Sequence, residues 1–502
     1  MSPLLGKPNS YWIDSTESLP KPSLENDILV DVAIVGAGIV GITAAMLLKK
    51  AGKKVALIEA KSLAAGVSGH TTAKITSLHQ LIYADLIEKL GEDKARLYGE
   101  SNEAAIALMV KLVEEEQIDC DFSQQSAYTF AERPEDLSKV EAETEAAVKL
   151  GLPASLVKET SLPFPVAGAV KFDNQAQFHV RNYLLHLAQN IAGEGSYIFE
   201  HSRVETIEEG DPCEVKTSRG TVRATDVIIS THLPLLDQGL FFAKAYPKRS
   251  YIVAARIDSD RAPQGLFIGA GDRNYHSIRT TPYDGGLLLL VGGEGHKTGD
   301  RSDTEQCYLN LEAYARDRFG VTSFEYRWSS QDMVSFDRLP YIGKLTPAHQ
   351  HLYVATGLSL WGMSKGTMAG MLLSDFILGV ENPWAQLYDS LRATPFLSQT
   401  SIKENTKVVT HWVGDRLKGL ADSVAEVAPG EGKLVTVEGN KVAAYRDERG
   451  EISVVSAVCT HLGCIVNWNE AEKSWDCPCH GARFSCEGKV LHGPAVKDLE
   501  RV

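Results

Sequence analysis

Near its C-terminus this 502-residue chain carries the feature that most constrains its fold, a dense group of cysteines and histidines. Five of the eight cysteines lie within the 28 residues from Cys459 to Cys486. Two short boxes pair some of them with histidines: Cys459-Thr460-His461 and Cys477-Pro478-Cys479-His480. A chain of this length can bury a core without disulfides, so the clustering indicates ligands for a metal centre.

The boxes supply two thiolates, from Cys459 and Cys477, and two imidazoles, from His461 and His480. This set suits a 2Fe–2S cluster in which both histidines bind the same iron. A tetrahedral zinc site with two cysteines and two histidines is the alternative. Zinc-finger spacings group the cysteines together and the histidines together, whereas each box here joins one cysteine to one histidine. The spacing therefore favours the cluster.

Residues 424–502 resemble the Rieske proteins of respiratory and photosynthetic cytochrome bc complexes, both in the two boxes and in residues 488–495, which are similar to their proline loop. The resemblance implies an all-β domain, and it implies a disulfide between Cys464 and Cys479. A reduced pair in a reducing cytosol is the alternative for these two cysteines.

Two positions depart from that family. Its members usually carry Ser and Tyr where this chain has Ala482 and Phe484. Both hydroxyls donate hydrogen bonds to sulfur in the family, and their loss favours the oxidised cluster. The sequence therefore predicts a reduction potential below that of the cytochrome-complex proteins.

A second motif lies near the N-terminus, where G-x-G-x-x-G follows a short apolar run in residues 32–41. A predicted strand (31–35), helix (39–50) and second strand (55–59) surround the motif as one βαβ unit. In such a unit Gly36 makes the tight turn, Gly38 lets the backbone approach a pyrophosphate, and Gly41 lets the helix pack on the strand. Glu59 is placed to accept from ribose hydroxyls. A glycine-rich turn in an ordinary α/β fold is the alternative.

Later segments point to FAD as the dinucleotide. Residues 335–343 and 352–363 resemble the C-terminal flavin-binding segment of the D-amino-acid-oxidase-like superfamily, which includes glycine and sarcosine oxidases. The resemblance covers residues 31–380 and implies flavin contacts at the turn Trp361-Gly362-Met363. Gly357 and Val204 complete the predicted cofactor set. The chain has no second G-x-G-x-x-G, which counts against an NAD(P)H-driven reductase.

The same resemblance implies hydride removal from a C–H bond next to nitrogen, with no obligatory protein acid or base. A cation that grips a substrate carboxylate is needed instead. Lys74 lies where similar sequences place flavin contacts and a carboxylate-binding arginine. It is therefore predicted both to contact the flavin and to bind the substrate carboxylate. Arg279 is the candidate clamp on the second subdomain, where Arg249 and Tyr251 lie on predicted strands, and Lys365 is a third candidate beside Trp361.

These signals predict an α/β Rossmann-like FAD-binding domain with an α+β substrate subdomain, followed by an all-β Rieske domain. The predicted boundaries are an N-terminal lead-in (1–30), the FAD-dependent oxidoreductase domain (31–380), a linker (381–423) and the Rieske domain (424–502). The substrate subdomain is expected mainly in residues 80–150 and 166–334.

Charge and hydropathy limit the classes of partner that the chain can bind. The chain has 51 basic and 65 acidic residues, a formal charge of −14. That balance excludes nucleic acid and anionic membranes as main partners, since both need a basic surface. No apolar run approaches the ~20 residues of a membrane span, and the first residues show no secretory leader, so we expect a cytoplasmic protein without a membrane anchor.

The expected function is oxidation of a small amine or amino acid by FAD, with electrons passing through the 2Fe–2S cluster to an outside acceptor. We expect the cluster edge that carries His461 and His480 to face the flavin domain; the alternative is that this edge faces away and serves a second subunit or a diffusing carrier. Two alternatives remain: an electron-transfer or redox-sensing module without an organic substrate, and a reductase that feeds a partner oxygenase.

Overall fold

The computed structural model describes residues 4–271, 275–393, 404–406 and 424–502. Two β-sheets and their helices form a larger domain, residues 4–393, and two small sheets form a C-terminal domain, residues 424–502. Among the described residues, none of the helices has the length and apolar character needed to cross a membrane.

The first sheet of the larger domain has eight strands and holds the glycine motif. Its central strands pair in parallel, and the residues from Val32 to Val35 are buried, as expected for a strand covered on both faces. The strand begins at Ile28, three residues before the predicted start. In sheet order the strands are Tyr341–Lys344, Leu352–Thr356, Thr221–Ile229, Ile28–Val35, Val55–Ile58 and Tyr197–Phe199. Cys213–Thr217 also pairs with Thr221–Ile229, and Val204–Glu208 pairs with Cys213–Thr217.

The second sheet has ten strands and forms the substrate subdomain. Its strands in order are Lys7–Pro8, Phe324–Ser335, Ala245–Ile257, Gly286–Lys297, Ser277–Tyr283, Leu266–Gly269, Ser123–Ala131, Gly168–Gln177 and Lys74–Ile75, and Ala154–Val157 pairs with Gly168–Gln177. The chain leaves this sheet between residues 197 and 229, where four strands join the first sheet. The substrate subdomain is therefore interrupted within the predicted range 166–334.

Helices cover both sheets. They are Tyr11–Asp14, Ile39–Lys50, Tyr83–Leu90, Glu92–Glu115, Leu137–Lys149, Val180–Gln189, Thr304–Phe319, Gly362–Leu378 and Ala385–Tyr388, with short 3₁₀ turns at Val67–His70, Pro134–Asp136, Asp237–Gly239, Phe241–Ala243 and Val424–Glu426. The helix Gly362–Leu378 begins within the predicted flavin turn Trp361-Gly362-Met363.

The predicted lead-in is part of the larger domain. Lys7–Pro8 pairs with the strand Phe324–Ser335, and the Trp12 side chain is fully buried with its indole N–H donating to the Thr71 carbonyl at 2.7 Å. The start of the predicted linker also packs on this domain, because Tyr388 is buried and its hydroxyl lies 2.7 Å from the Ser101 hydroxyl. Most of the rest of the linker, residues 394–403 and 407–423, lies outside the described residues.

The C-terminal domain contains a three-stranded and a four-stranded antiparallel sheet. The strands are Gly432–Val437, Asn440–Arg446 and Ile452–Ser456 in one, and Asn467–Asn469, Ser474–Asp476, Arg483–Ser485 and Val490–His492 in the other. Trp475, Phe484 and the box cysteines share one hydrophobic core. This packing holds the two cysteine–histidine loops side by side at one end of the domain.

Candidate active site and iron–sulfur centre

One cavity of about 510 Å³ joins the two domains. From the larger domain it is lined by the glycine loop, by Glu59, by Val204 and by the turn at Trp361. From the C-terminal domain it is lined by Glu472, Arg483 and residues 491–496. The volume falls within the range of small-molecule and cofactor sites.

The glycine loop has the geometry that a bound pyrophosphate needs. Gly36 has φ +102°, and a Cβ there would lie 2.7 Å from the Ser230 carbonyl oxygen. Gly38 stands at the N-cap of the helix Ile39–Lys50, whose positive end faces the cavity. Gly41 allows close packing rather than contact with a ligand, since a Cβ there would lie 2.0 Å from the Gly36 oxygen. These positions form a cradle that side chains would fill.

Glu59 closes this end of the cavity. One carboxylate oxygen accepts from the Ala37 N–H at 2.9 Å and the other from the Lys61 N–H at 2.8 Å. The carboxylate is thereby fixed at the end of the second parallel strand, beside the glycine loop, which suits recognition of ribose hydroxyls.

The opposite end is formed by the turn before the helix Gly362–Leu378. Ser359 and Leu360 have φ of +56° and +71°, a left-handed backbone that non-glycine residues rarely adopt. Asp332 accepts a hydrogen bond from the Leu360 N–H and holds this turn. His79, which is fully buried, stacks on Trp361 with ring centroids 4.8 Å apart. Trp361, Gly362 and Met363 line the cavity, whereas Gly357, with φ +73°, does not.

Lys74 lines the same cavity, where the sequence predicts it. Its ammonium donates to the Phe267 carbonyl and, at 2.6 Å, to the Ser277 hydroxyl. Burial, with a smaller contribution from the charge of Arg279, holds the pKa of Lys74 well below its usual value. Lys74 is thus a polar contact in the cavity whose charged form is disfavoured by burial.

The other two candidate cations do not line the cavity. The Arg279 guanidinium donates to the Ala73 and Thr72 carbonyls at 2.8 and 3.0 Å, so it ties backbone segments together. Lys365 is fully buried and donates to the Arg338 carbonyl at 3.0 Å. Both side chains donate to carbonyl groups inside the fold, and their role as substrate clamps stays a prediction that the lining of this cavity does not support.

Two neighbours on the strand Ala245–Ile257 do line the cavity. The Tyr251 hydroxyl is buried and has no hydrogen-bond partner among the described residues. Arg249 is 2% exposed and lies 4.0 Å from a Glu472 oxygen and 3.8 Å from an Asp476 oxygen, both in the C-terminal domain. A buried hydroxyl without a partner is costly, so Tyr251 is the polar group best placed to bind a ligand there.

The four predicted cluster ligands converge at one end of the C-terminal domain. Cys459 and Cys477 are buried free thiols, and a hydrogen bond from Cys459 lowers the pKa of Cys477. The rings of His461 and His480 lie 5.0 Å apart, and both Nδ1 atoms are buried without a partner among the described residues. Burial, followed by the neighbouring His461, lowers the pKa of His480 to about 3, so its ring is neutral and can bind iron.

The disulfide between Cys464 and Cys479 is present, with Cα atoms 6.5 Å apart. This confirms the pairing that the resemblance implies. Ala482 and Phe484 are both fully buried in the same core. The two positions where the family carries hydroxyls therefore present only apolar side chains here.

The histidine edge of the cluster site packs on the larger domain. His461 Nε2 lies 2.8 Å from an Asp237 oxygen, and the Phe242 ring lies edge-on to both histidine rings, with centroids 5.1 Å from His480 and 6.0 Å from His461. Gln331, which lines the cavity, donates to the Gly481 carbonyl at 2.8 Å, directly after His480. The cavity and the predicted cluster ligand His480 are therefore separated by the hydrogen bond from Gln331 and by one residue, Gly481.

A second contact between the two domains runs through three side chains that line the cavity. His492 Nε2 lies 2.9 Å from His232 Nδ1, and His232 Nε2 lies 3.1 Å from an Asp332 oxygen. The sequence analysis missed His232, Asp332, Asp237 and Gln331. No local motif contains them, and only the docking of the two domains brings them to the sites. His492 alone lay in a segment that carried a signal, the one that resembles the proline loop.

Comparison with known proteins identifies both parts of the chain. A family model described as FAD dependent oxidoreductase matches residues 31–376, and a Rieske [2Fe-2S] domain model matches residues 419–502. These matches confirm the predicted resemblance, the fold class and both cofactors, FAD and a 2Fe–2S cluster. The glycine loop and Glu59 fit FAD, and the two cysteines and two histidines fit a 2Fe–2S cluster.

Individual relatives cover the whole chain or its parts. The chain is 38% identical over 499 residues to "Putative Rieske 2Fe-2S iron-sulfur protein YhfW" of Bacillus subtilis, covering 99% of this chain and 97% of that protein. It is 25% identical over 389 residues to gamma-glutamylputrescine oxidoreductase of Escherichia coli, covering 74% and 89%. The solved structure of glycine oxidase from Geobacillus kaustophilus has the same fold, with a TM-score of 0.62 at 21% identity, covering 73% and 99%.

Proposed function

Because this chain belongs to the FAD dependent oxidoreductase family and ends in a Rieske [2Fe-2S] domain, we propose that it oxidises a small amine or amino acid and passes the electrons to an external acceptor. The observation that carries the proposal is the cavity that both domains line. When bound, FAD accepts a hydride from a C–H bond next to nitrogen, and the cluster carries one electron at a time.

The named relatives support this substrate class. One is named for gamma-glutamylputrescine and one structure is a glycine oxidase. Another structure with the same fold, at 19% identity and a TM-score of 0.60, is an L-proline dehydrogenase from P. horikoshii. The three named compounds share a nitrogen bonded to carbon.

The side chains divide the work between binding and shielding. Lys74 and Tyr251 supply the polar contacts that would hold the substrate. The helix that begins at Gly362 directs its positive end towards the cavity and stabilises negative charge there. Residues 491–496 of the C-terminal domain line the cavity and would shield a bound substrate from solvent on that side. Gln331 connects this cavity to the loop that carries His480.

The test is anaerobic bleaching of the flavin by a panel of amines and amino acids, with EPR detection of the reduced cluster. We expect at least one compound to reduce both centres. Lys74→Met and Tyr251→Phe should slow flavin reduction by about tenfold or more, the loss expected for one polar contact to a reacting substrate. Lys365→Met is the matched control, since it removes a buried lysine that also donates to a carbonyl but lies outside the cavity.

The opposite outcomes are also informative. If no compound bleaches the flavin while a reduced electron carrier fills the cluster, the chain is an electron-transfer module or a reductase and the proposal is wrong. If Lys365→Met slows flavin reduction as much as Lys74→Met, the cavity residues named here are not the substrate site.

A further inference from the structure

We propose that Asp237 is a positioning residue for the cluster. Through its contact with His461, Asp237 holds the cluster against the larger domain and lowers the reduction potential of the cluster. It lies in the 3₁₀ turn Asp237–Gly239 of the larger domain, far along the chain from the ligands. The inference rests on the two cofactors and on no particular substrate.

The hydrogen-bond geometry fixes the direction of this contact. His461 Nδ1 is buried and without a partner among the described residues, and this is the atom available to bind iron. With iron on Nδ1, the ring hydrogen must stand on Nε2. That atom lies 2.8 Å from Asp237 Oδ1, so the imidazole donates and the carboxylate accepts.

A carboxylate acceptor changes the electronic character of a metal-bound imidazole. It makes the ring a stronger donor to the metal and favours the oxidised centre. The His461 side chain is 6% exposed, whereas that of Asp237 is 46% exposed. The carboxylate therefore stays hydrated, and the shift in potential is expected to be modest.

The packing around this hydrogen bond indicates that the histidine edge of the cluster site is held against the larger domain and does not touch it by chance. Phe242, five residues after Asp237, lies against the rings of both histidines. On the other side, Gly299 leaves room for Pro478, since a Cβ on Gly299 would lie 2.9 Å from the Pro478 backbone. Segments from two parts of the larger domain thus enclose the loop that carries His480.

One consequence concerns the external acceptor. In this arrangement the His461 edge is occupied by Asp237, so a carrier cannot accept the same hydrogen bond from His461. The potential of the cluster then depends on whether the two domains are docked, because separation removes the carboxylate from the ring.

The experiment is an EPR-monitored redox titration of the full-length holoprotein with chemical mediators and no substrate. We expect Asp237→Asn and Asp237→Ala to raise the midpoint potential of the cluster, and Asp237→Glu to restore it at least in part. Gln238→Ala, at an exposed site in the same turn, is the matched control and should leave the potential unchanged. Iron, sulfide and FAD contents of each variant exclude simple loss of folding.

Equal midpoint potentials in the wild type, Asp237→Asn and Asp237→Ala would overturn the proposal. A rise in Gln238→Ala as large as in Asp237→Ala would overturn it too, since the effect would then come from disturbance of the turn. Because no substrate enters this titration, its outcome is independent of whether the chain oxidises an amine.

Discussion

The cluster site and the flavin cavity of this protein are built in opposite ways. All four predicted cluster ligands and the disulfide lie between Cys459 and His480, and the four cysteines share one small core. The flavin cavity is lined by residues from Val35 to Val496 and needs both domains. A site made from one short segment can be identified from its spacing, whereas a site made by docking depends on contacts that no local pattern records.

The largest expected effect separates the two sites. Cys459→Ser or Cys477→Ser removes a thiolate from a centre that has no other buried thiol to replace it in the same box. We expect iron and acid-labile sulfide to fall close to zero while most of the FAD is retained. Cys486→Ser is the control, because its thiol is only half-buried and contacts the Lys473 carbonyl. Loss of FAD in parallel with iron would show that the cavity cannot hold FAD without the cluster.

The converse substitution is Gly41→Ala. Its Cβ would lie 2.0 Å from the Gly36 oxygen and 3.0 Å from the Ser230 hydroxyl, which forces the helix away from the glycine loop. Overpacking of this kind costs about 1–3 kcal/mol, so FAD binding should weaken by about 5- to 150-fold. Cluster content should stay near one per chain.

Gly286→Ala is the control for this substitution, since its Cβ has only an ordinary contact at 3.7 Å. FAD content is measured by absorbance after gel filtration. Normal FAD content in Gly41→Ala would contradict the role of close helix–strand packing in this site.

Much of the fold follows from local signals, and the failures have physical causes. The βαβ unit around Gly36 and the boxes around Cys459 and Cys477 are short segments whose neighbours in sequence are also neighbours in space. Arg279 was predicted as a clamp from its residue type, but its donors are used by backbone carbonyls that are distant in sequence. Trp12 shows the same limit, since only the folded sheet buries it.

A smaller effect is expected inside the cluster site itself. Ala482→Ser with Phe484→Tyr would restore two hydroxyl donors near sulfur in a fully buried core. Hydrogen bonds to sulfur stabilise the reduced cluster, so the midpoint should rise on the order of tens of millivolts within the range of about −150 to +300 mV for Rieske centres. A redox titration of the single and double variants measures it. An unchanged midpoint in the double variant would show that the hydroxyls do not reach sulfur.

The last expected effect concerns Lys365, which does not line the cavity. Burial, with a smaller contribution from Arg338, lowers the pKa of Lys365 to about 7, so between pH 7 and pH 10 the unfolded chain binds the proton and the folded chain does not. Stability from this group therefore rises with pH, on the order of 1 kcal/mol per pH unit.

Thermal unfolding at pH 7 and pH 9 tests this sign. We expect the unfolding temperature of the wild type, relative to that of Lys365→Met, to increase as the pH rises. A difference in unfolding temperature that stays constant with pH would show that the Lys365 ammonium is solvated and has its ordinary pKa. Lys365 would then again be a candidate for the cavity.

The central claim is that the C-terminal domain completes the flavin cavity and receives electrons within the same chain. Rapid anaerobic mixing with a reductant that reaches only the flavin tests it directly, with flavin and cluster absorbance followed at several protein concentrations. The docked arrangement of Gln331, Gly481 and His480 predicts first-order reduction of the cluster at a rate that dilution leaves unchanged. A rate that falls in proportion to protein concentration would mean transfer between molecules and would contradict the account.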